Sequence, residues 1–195
     1  QRQMCIRDSS QVLDLVERRV CEIGLIGMYS HYHKMISRRL EIRGLQYFRL
    51  CSSPVSVIVG AGSPLYSRTR PDISLDEIGD CPMVIYDESE SEPYASILET
   101  LGLDKQLRRI VVSERATMVD MLDKTDAVGI STTNAIAYQN TDYYPNLKYF
   151  KLKDCSITGE IGWIKRADAP LSDIALSFLQ ILTSYYSLLN GELPI

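Results

Sequence analysis

The sequence predicts an α/β protein of two lobes, each built on a doubly wound parallel sheet. Two observations carry this. From Pro82 onward, short β-branched runs alternate with helical segments of about ten residues, the rhythm of strands joined by helical crossovers. Before that, LCSSPVSVIVGAGSPLYSRTRPDISLDEIGDCP (Leu50 to Pro82) reads as an apolar strand leaving one unit. A Gly/Pro-rich passage and a short capped helical turn then open a second unit. A chain of 195 residues is long enough for two such lobes.

Residues 1–9, QRQMCIRDS, match no helix or strand pattern and look like a foreign translated segment. From Ser10, SQVLDLVERRV predicts a helix with Val12, Leu13, Val16 and Val20 on one face. EIGLIG follows at once, a short apolar run expected to be a buried strand of a parallel sheet. A helix running straight into such a strand is half of a β-α-β unit. The other strand is expected upstream, so lobe one is read as incomplete. MYSHYHKMISRRLEIRG passes from loop into a helix closed by Gly44. LQYFRL and PVSVIVG are two strands separated by Cys51-Ser52-Ser53, with Pro54 interrupting the ladder. SPLYSRTRPD is loop. ISLDEIGD carries a capping box, Ser74 with Glu77, and a Gly79 stop, which makes it a single helical turn.

The second lobe repeats one pattern. PMVIYD, RRIVVSE, DAVGIST and NLKYFKL are strands. YASILETLG, RATMVDMLDK (led by Ser113 as cap) and TNAIAYQN are helical. TGEIGWIKR leads back out as a further strand. The final helix, PLSDIALSFLQILTSYYSLLNG, places Leu171, Ile174, Ala175, Phe178, Leu179, Leu182 and Tyr186 on one stripe between Pro170 and Gly191. Lobe one is thus expected over residues 10–60 and 160–195, and lobe two over 61–159.

Composition excludes several function classes. With 45% hydrophobic and 24% charged residues the chain is an ordinary globular one, and its net charge of −4 offers no footprint for nucleic acid. No apolar run reaches the ~20 residues of a membrane span, so no membrane partner is expected. Without a charged-then-apolar leader the expected location is cytoplasmic. The five cysteines are odd in number, widely spaced and without a C-x-x-C pair, as buried thiols in a reducing compartment would be. No nucleophile elbow, P-loop or paired metal carboxylates occur, and no cofactor is implied. Gly60-Ala61-Gly62 lacks the third glycine of a dinucleotide fingerprint and is followed by Pro64 rather than a helix. His31 and His33 have no cysteine or carboxylate cluster nearby to complete a metal site. The acidic run Asp87, Glu88, Glu90, Glu92 lacks calcium-loop spacing and suits a solvated loop.

The order of these segments resembles the effector-binding (substrate-binding) domain of LysR-type transcriptional regulators. The resemblance is carried by GLQYFRLCSSPVSVIVGAGSPLYSRTRPDISLDEIGDCPMVIY, with Ser63-Pro64-Leu65 where the family often has His-Pro-Leu. ERATMVDMLDKTDAVGIST adds to it, keeping Gly129-Ile130 while Asp126-Ala127 replaces the usual Ala-Gly. It covers about residues 10 to 190 and rests on the order and spacing of elements. It implies a fold like the type-2 periplasmic binding proteins, two lobes joined by two crossing strands with a small-molecule effector between them. Cys51 to Gly60 would be the first crossing and Gly162 to Lys165 the second. It also implies a DNA-binding domain upstream of this chain and a homo-oligomer, dimer or tetramer, in the full-length protein.

Ligands of open α/β sheets bind beyond the carboxyl ends of strands, where helix N-termini offer free N–H groups. That rule selects Met28, Tyr29, Ser30 and His31 after EIGLIG, and Ser52 and Ser53 at the crossing. It also selects Arg115 and Thr117 after Glu114, and Ser131, Thr132 and Thr133 after DAVGI. Hydroxyls and one arginine suit a polar effector such as a carboxylate. Ser131 to Thr133 serve equally well as a helix N-cap, and Arg115 as a solvated charge. The expected function is therefore effector sensing without catalysis, passed to DNA through the upstream domain. A stand-alone solute-binding protein of the same fold is the alternative. An enzyme on this fold would need a reactive group, for which Cys51 is the sole candidate.

Overall fold

A computed structural model describes residues 9–86, 97–105, 108–132 and 146–189. Along the chain its elements are α1 (Ser9–Glu17), β1 (Ile23–Tyr29), α2 (His33–Ile42), β2 (Leu45–Pro54), β3 (Ser56–Gly60), β4 (Asp72–Ile73) and α3 (Leu75–Ile78). There follow β5 (Met83–Tyr86), β6 (Arg109–Val112), α4 (Arg115–Lys124), β7 (Val128–Ser131), β8 (Leu147–Leu152), β9 (Thr158–Arg166) and α5 (Asp173–Leu189). Contacts divide them into two units. One holds the described residues up to Ser52 and from Gly159 onward, the other those from Ser53 to Thr158. The strand Ser56–Gly60 therefore belongs to the second unit, and the chain returns at Thr158–Gly159, earlier than the Gly162–Lys165 expected from sequence.

The first unit is a three-stranded sheet in the order β1-β9-β2. β1 pairs with β9 antiparallel, with Gly24 opposite Ile164, Ile26 opposite Gly162 and Met28 opposite Glu160. The parallel pairing expected for EIGLIG is thus corrected, because its described neighbour is the returning strand rather than the partner of a helical crossover. Alternation sends Ile26, Met28 and Ile164 to one face, where they pack with Leu13 and Val16 of α1 and Ile36 and Leu40 of α2. Each such fully buried side chain contributes about 1.5–3 kcal/mol. α1 lies so close to the sheet that a Cβ on Gly24 would stand 2.4 Å from Val12 Cγ1. The helix ends at Glu17, with Arg19 at φ 62° in the left-handed region. Val20, assigned to the inward face, consequently lies beyond the helix and is exposed. Arg166 at the end of β9 closes this helix end, donating from Nη1 to the Glu17 carbonyl at 2.9 Å. Its other nitrogens hold Asp168 at 2.7 and 2.8 Å.

Helix α5 carries a single charged residue, Asp173, in seventeen. Its buried side chains include Ala175 and Leu179, whereas Ile174 is 83% exposed and Ile181 71%. The stripe containing Ile174 is corrected accordingly. A helix with apolar residues on more than one face does not tell from sequence which of those faces is inward.

The second unit is a six-stranded mixed sheet, β4-β8-β3-β7-β5-β6. β5 runs parallel to both β6 and β7, as helical crossovers require, and α4 links β6 to β7. β3 is antiparallel to β7 and to β8. It enters from the first unit, so no crossover sets its direction, and the expectation of a wholly parallel sheet fails there. β3 is buried along its whole length. β2 runs unbroken through Cys51, Ser52 and Ser53, and Pro54 ends it where no N–H is needed.

The capping box forms as the sequence predicts: Glu77 accepts from the Ser74 amide at 2.9 Å and from its hydroxyl at 3.1 Å. Arg68 grips the same carboxylate and donates from Nε to the Asp72 carbonyl at 2.9 Å. α4 is capped at Glu114, without a side-chain bond, rather than at Ser113. The described part of YASILETLG, from Ile97 on, forms turns closed by Gly102 at φ 70°. TNAIAYQN and the acidic run at 87–92 lie outside the described residues.

Candidate functional site

The predicted site residues fall in both units. In the first, β1 ends at Tyr29, and Ser30–Tyr32 form a 3-10 turn that leads directly into α2. The turn gathers aromatic rings: His31 lies 3.9 Å from Tyr32 and 6.1 Å from Tyr29 between centroids. Partial desolvation lowers the His31 pKa from its usual 6.5, which favours the neutral ring, able to donate from one nitrogen and accept at the other. Met28 departs from the expectation. It is 5% exposed and belongs to the core under α1 and α2, so its side chain serves packing. It sits one position inside the strand on the inward face, where alternation rather than the loop decides its surroundings.

At the joint, Ser52 is exposed and Ser53 is 4% exposed. They are adjacent in an extended strand and therefore point to opposite faces. In the second unit, Thr117 is exposed in the first turn of α4, and Ser131 and Thr132 are half-buried at the end of β7. Arg115 opens α4; Thr133 lies outside the described residues. The ends of β1 and β7 thus present hydroxyls, amide-bearing turns and neutral aromatic donors. This chemistry suits hydrogen bonding to a polar ligand.

Cys51 has none of the features of a nucleophile. It is buried, and desolvation pushes its thiol pKa up, against the opposing effect of the Ile161 backbone N–H. Among the described residues no group of three His, Cys, Asp or Glu side chains could hold a metal ion, and no helix is long and apolar enough to cross a membrane.

The family model of the LysR substrate binding domain matches residues 3–187. The chain belongs to that family. The match takes in most of the segment that the sequence suggested was foreign, and Ser9 within it opens α1. The fold agrees with solved LysR-family structures. A full-length BenM variant superposes with a TM-score of 0.67 at 16% identity, over 97% of this chain and 58% of that one. The effector-binding domain of QuiR in complex with shikimate gives 0.63 at 14% identity, over 93% and 79%. Full-length CbnR complexed with its target DNA gives 0.60 at 11% identity, over 91% and 57%. The chain spans little more than half the length of the full-length regulators it matches. No curated protein matches it.

One polar cluster of this LysR-family domain was not anticipated from its sequence. Glu160 of β9 is 7% exposed and accepts from His33 Nδ1 at 3.3 Å, with Arg49 Nη1 at 3.9 Å from its other oxygen. The signal was available: in TGEIGWIKR, alternation puts Glu160 on the face of Gly162 and Ile164, the buried one. A buried carboxylate on a core face marks a place where chemistry overrides packing.

Proposed function

We propose that this chain is the effector-sensing module of a LysR-type transcriptional regulator. It binds a small polar molecule, with a carboxylate the chemistry its hydroxyls best suit, and it is not an enzyme. The binding changes the regulator's action on DNA through a domain outside this chain, in a cytoplasmic homo-oligomer. The observation that carries the reading is the family match over residues 3–187. Supporting it are the hydroxyl-bearing ends of β1 and β7, the protonated, buried Cys51, and the QuiR structure, which holds shikimate, a polar carboxylate. In the first unit the groups offered to the effector are Tyr29, Ser30, His31 and Ser52. In the second they are Arg115, Thr117, Ser131, Thr132 and Thr133, whereas Ser53, like Met28, is buried.

The test is a thermal-shift screen of the chain against hydroxylated and aromatic carboxylates. At least one raises the melting temperature progressively with its concentration. Ser52→Ala, at an exposed position, weakens that response while leaving the unliganded melt within about 1 °C, as surface substitutions do. A carboxylate panel without effect on the folded chain refutes the effector assignment. A full-length gene without an upstream helix-turn-helix refutes the DNA-linked role.

A further inference from the structure

The contact between His33 and Glu160 joins β9 to the start of α2, immediately after the turn that carries Ser30 and His31. His33 is tied there twice. Its amide donates to the Ser30 carbonyl and closes the 3-10 turn, and its Nδ1 lies 3.3 Å from a Glu160 carboxylate oxygen. Glu160 is 7% exposed and stands opposite Met28 in the β1–β9 ladder, so it reaches α2 from the core face.

The start of α2 needs what Glu160 supplies. The helix has no side-chain cap at Tyr32 and no acidic residue in its first turn. It begins with His33 and Lys34, at the end where the helix dipole is positive. No local anion offsets them. A carboxylate 127 positions away along the chain takes that role, buried at the cost of its hydration.

We propose that Glu160, acting through His33, is a positioning residue for the effector-facing turn, and that its hold is proton-dependent, strongest when His33 carries a proton. This rests on the effector reading given above for Tyr29, Ser30 and His31. With His33 protonated the contact is a charge-assisted hydrogen bond to a buried carboxylate. With the ring neutral it is at most an ordinary one, about fivefold weaker. The groups facing the pair do not titrate in the histidine range. Arg49, with Nη1 3.9 Å from Glu160, is a guanidinium, which does not deprotonate in proteins. Tyr47, whose ring lies 6.1 Å from that of His33, is kept protonated by burial and then by the Glu160 charge, and Cys51 by burial. β1 offers only Met28 opposite Glu160. On α1, Asp14 and Glu17 are paired with Arg43, beyond the far end of α2. Glu41 lines the same depression as His33 and is a carboxylate, a class that ionises well below histidines. His31, with its pKa lowered by desolvation, is the other ring nearby, and variants at Glu160 and His33 leave it in place.

The experiment reads hydrogen exchange of the His33 amide by NMR on the whole chain, from pH about 8 to about 5.5. Expressed as a protection factor, it is free of the intrinsic pH dependence of exchange. In the wild type, protection rises about fivefold towards the lower pH. Glu160→Gln keeps the volume and an acceptor oxygen without the charge, and His33→Gln keeps a donor that does not titrate. Each flattens the profile, while amides of β7 in the other unit keep theirs. A parallel pH series with shikimate as probe, followed by thermal shift, shows an apparent affinity that tightens in step in the wild type and in neither variant. A flat wild-type His33 profile, or one that Glu160→Gln leaves as steep, overturns the proposal. So does a shikimate affinity that follows pH equally in all three chains. If the His33 profile behaves as stated while shikimate and the whole carboxylate panel leave the melt unmoved, the effector reading alone is refuted, because the hold on the turn is read without any ligand.

Discussion

The approach of α4 to β3 gives the sharpest test of the second unit's packing. A Cβ placed on Gly60 would lie 2.0 Å from the Leu122 carbonyl oxygen and 2.5 Å from the Asp123 Cα, well over an ångström inside ordinary contact. Both neighbours are backbone, and the Gly62 amide pins the same turn to the Asp123 carbonyl at 3.2 Å, so no side-chain rotation relieves the clash. In Gly60→Ala the C-terminal half of α4 must move off the sheet. Leu122 and Met118, both buried in the core beside Ile58 and Val84, then lose contact. A gap of about an ångström forfeits up to half of the attraction that two such side chains supply. With backbone strain added, the expected destabilisation is about 3 kcal/mol. For a chain of this size that is a fall of roughly 6–12 °C in melting temperature.

The control is Gly129→Ala on neighbouring β7. There the new methyl stands 2.8 Å from the terminal Cε of Met118, which a flexible side chain can withdraw, and at ordinary contact, 3.4 and 3.5 Å, from the Leu122 methyls. Its expected cost is about 1 kcal/mol or less. Urea denaturation of both variants, read by the midpoint at constant m, decides the matter. Equal costs for the two alanines would refute the packing of α4 on the end of β3.

Three further outcomes follow from the same structure. On α5, Leu179→Ala should cost about 2–4 kcal/mol, whereas Ile174→Ser and Ile181→Ser should each stay within about 0.5 kcal/mol in chemical denaturation; a reversed order would invert the helix. Asp168, hydrogen-bonded by Arg166, and Glu77, bonded by the Ser74 amide and then by Arg68, both titrate at about 2 in the folded protein, below their ordinary 3.8 and 4.5. A depressed carboxylate stabilises the fold above its unfolded pKa, so this contribution is complete above pH about 5 and lost as pH falls from there towards about 2. Asp168→Asn and Glu77→Gln should each flatten the melting temperature across that window, and unchanged curves would remove these pairs from the account. Burial and a raised pKa should make Cys51 the slowest of Cys21, Cys51, Cys81 and Cys155 to react with iodoacetamide at pH 7. Mass spectrometry of the alkylated peptides reads the order, and early modification of Cys51 would contradict its burial.

Much of the local fold around the candidate site was legible in the sequence. The capping box at Ser74 and Glu77, the Gly44 stop after α2 and the strand ends at Tyr29 and Ser131 all follow from residues within a few positions of one another. What failed did so for identifiable reasons. Val20 continued a helical pattern past a left-handed residue that no propensity announces. Met28 looked like the start of a loop but occupies an inward strand position. The YASILETLG pattern yields turns in its described part, because tertiary packing overrides propensity in so short a segment.

The sequence by itself determined that the protein is α/β, where most of its described strands and helices lie, and its LysR-type character. All of these rest on periodicity, caps and element order, which are properties of near neighbours along the chain. Only the tertiary structure decided strand direction and inward faces. β1 and β3 are antiparallel to their described neighbours because those neighbours come from distant parts of the chain. The same long-range pairing brings Tyr47 against Gly162 and His33 onto Glu160, residues more than a hundred positions apart. No local pattern encodes such meetings, since register across a sheet is set by burial of whole faces rather than by the residues beside each position.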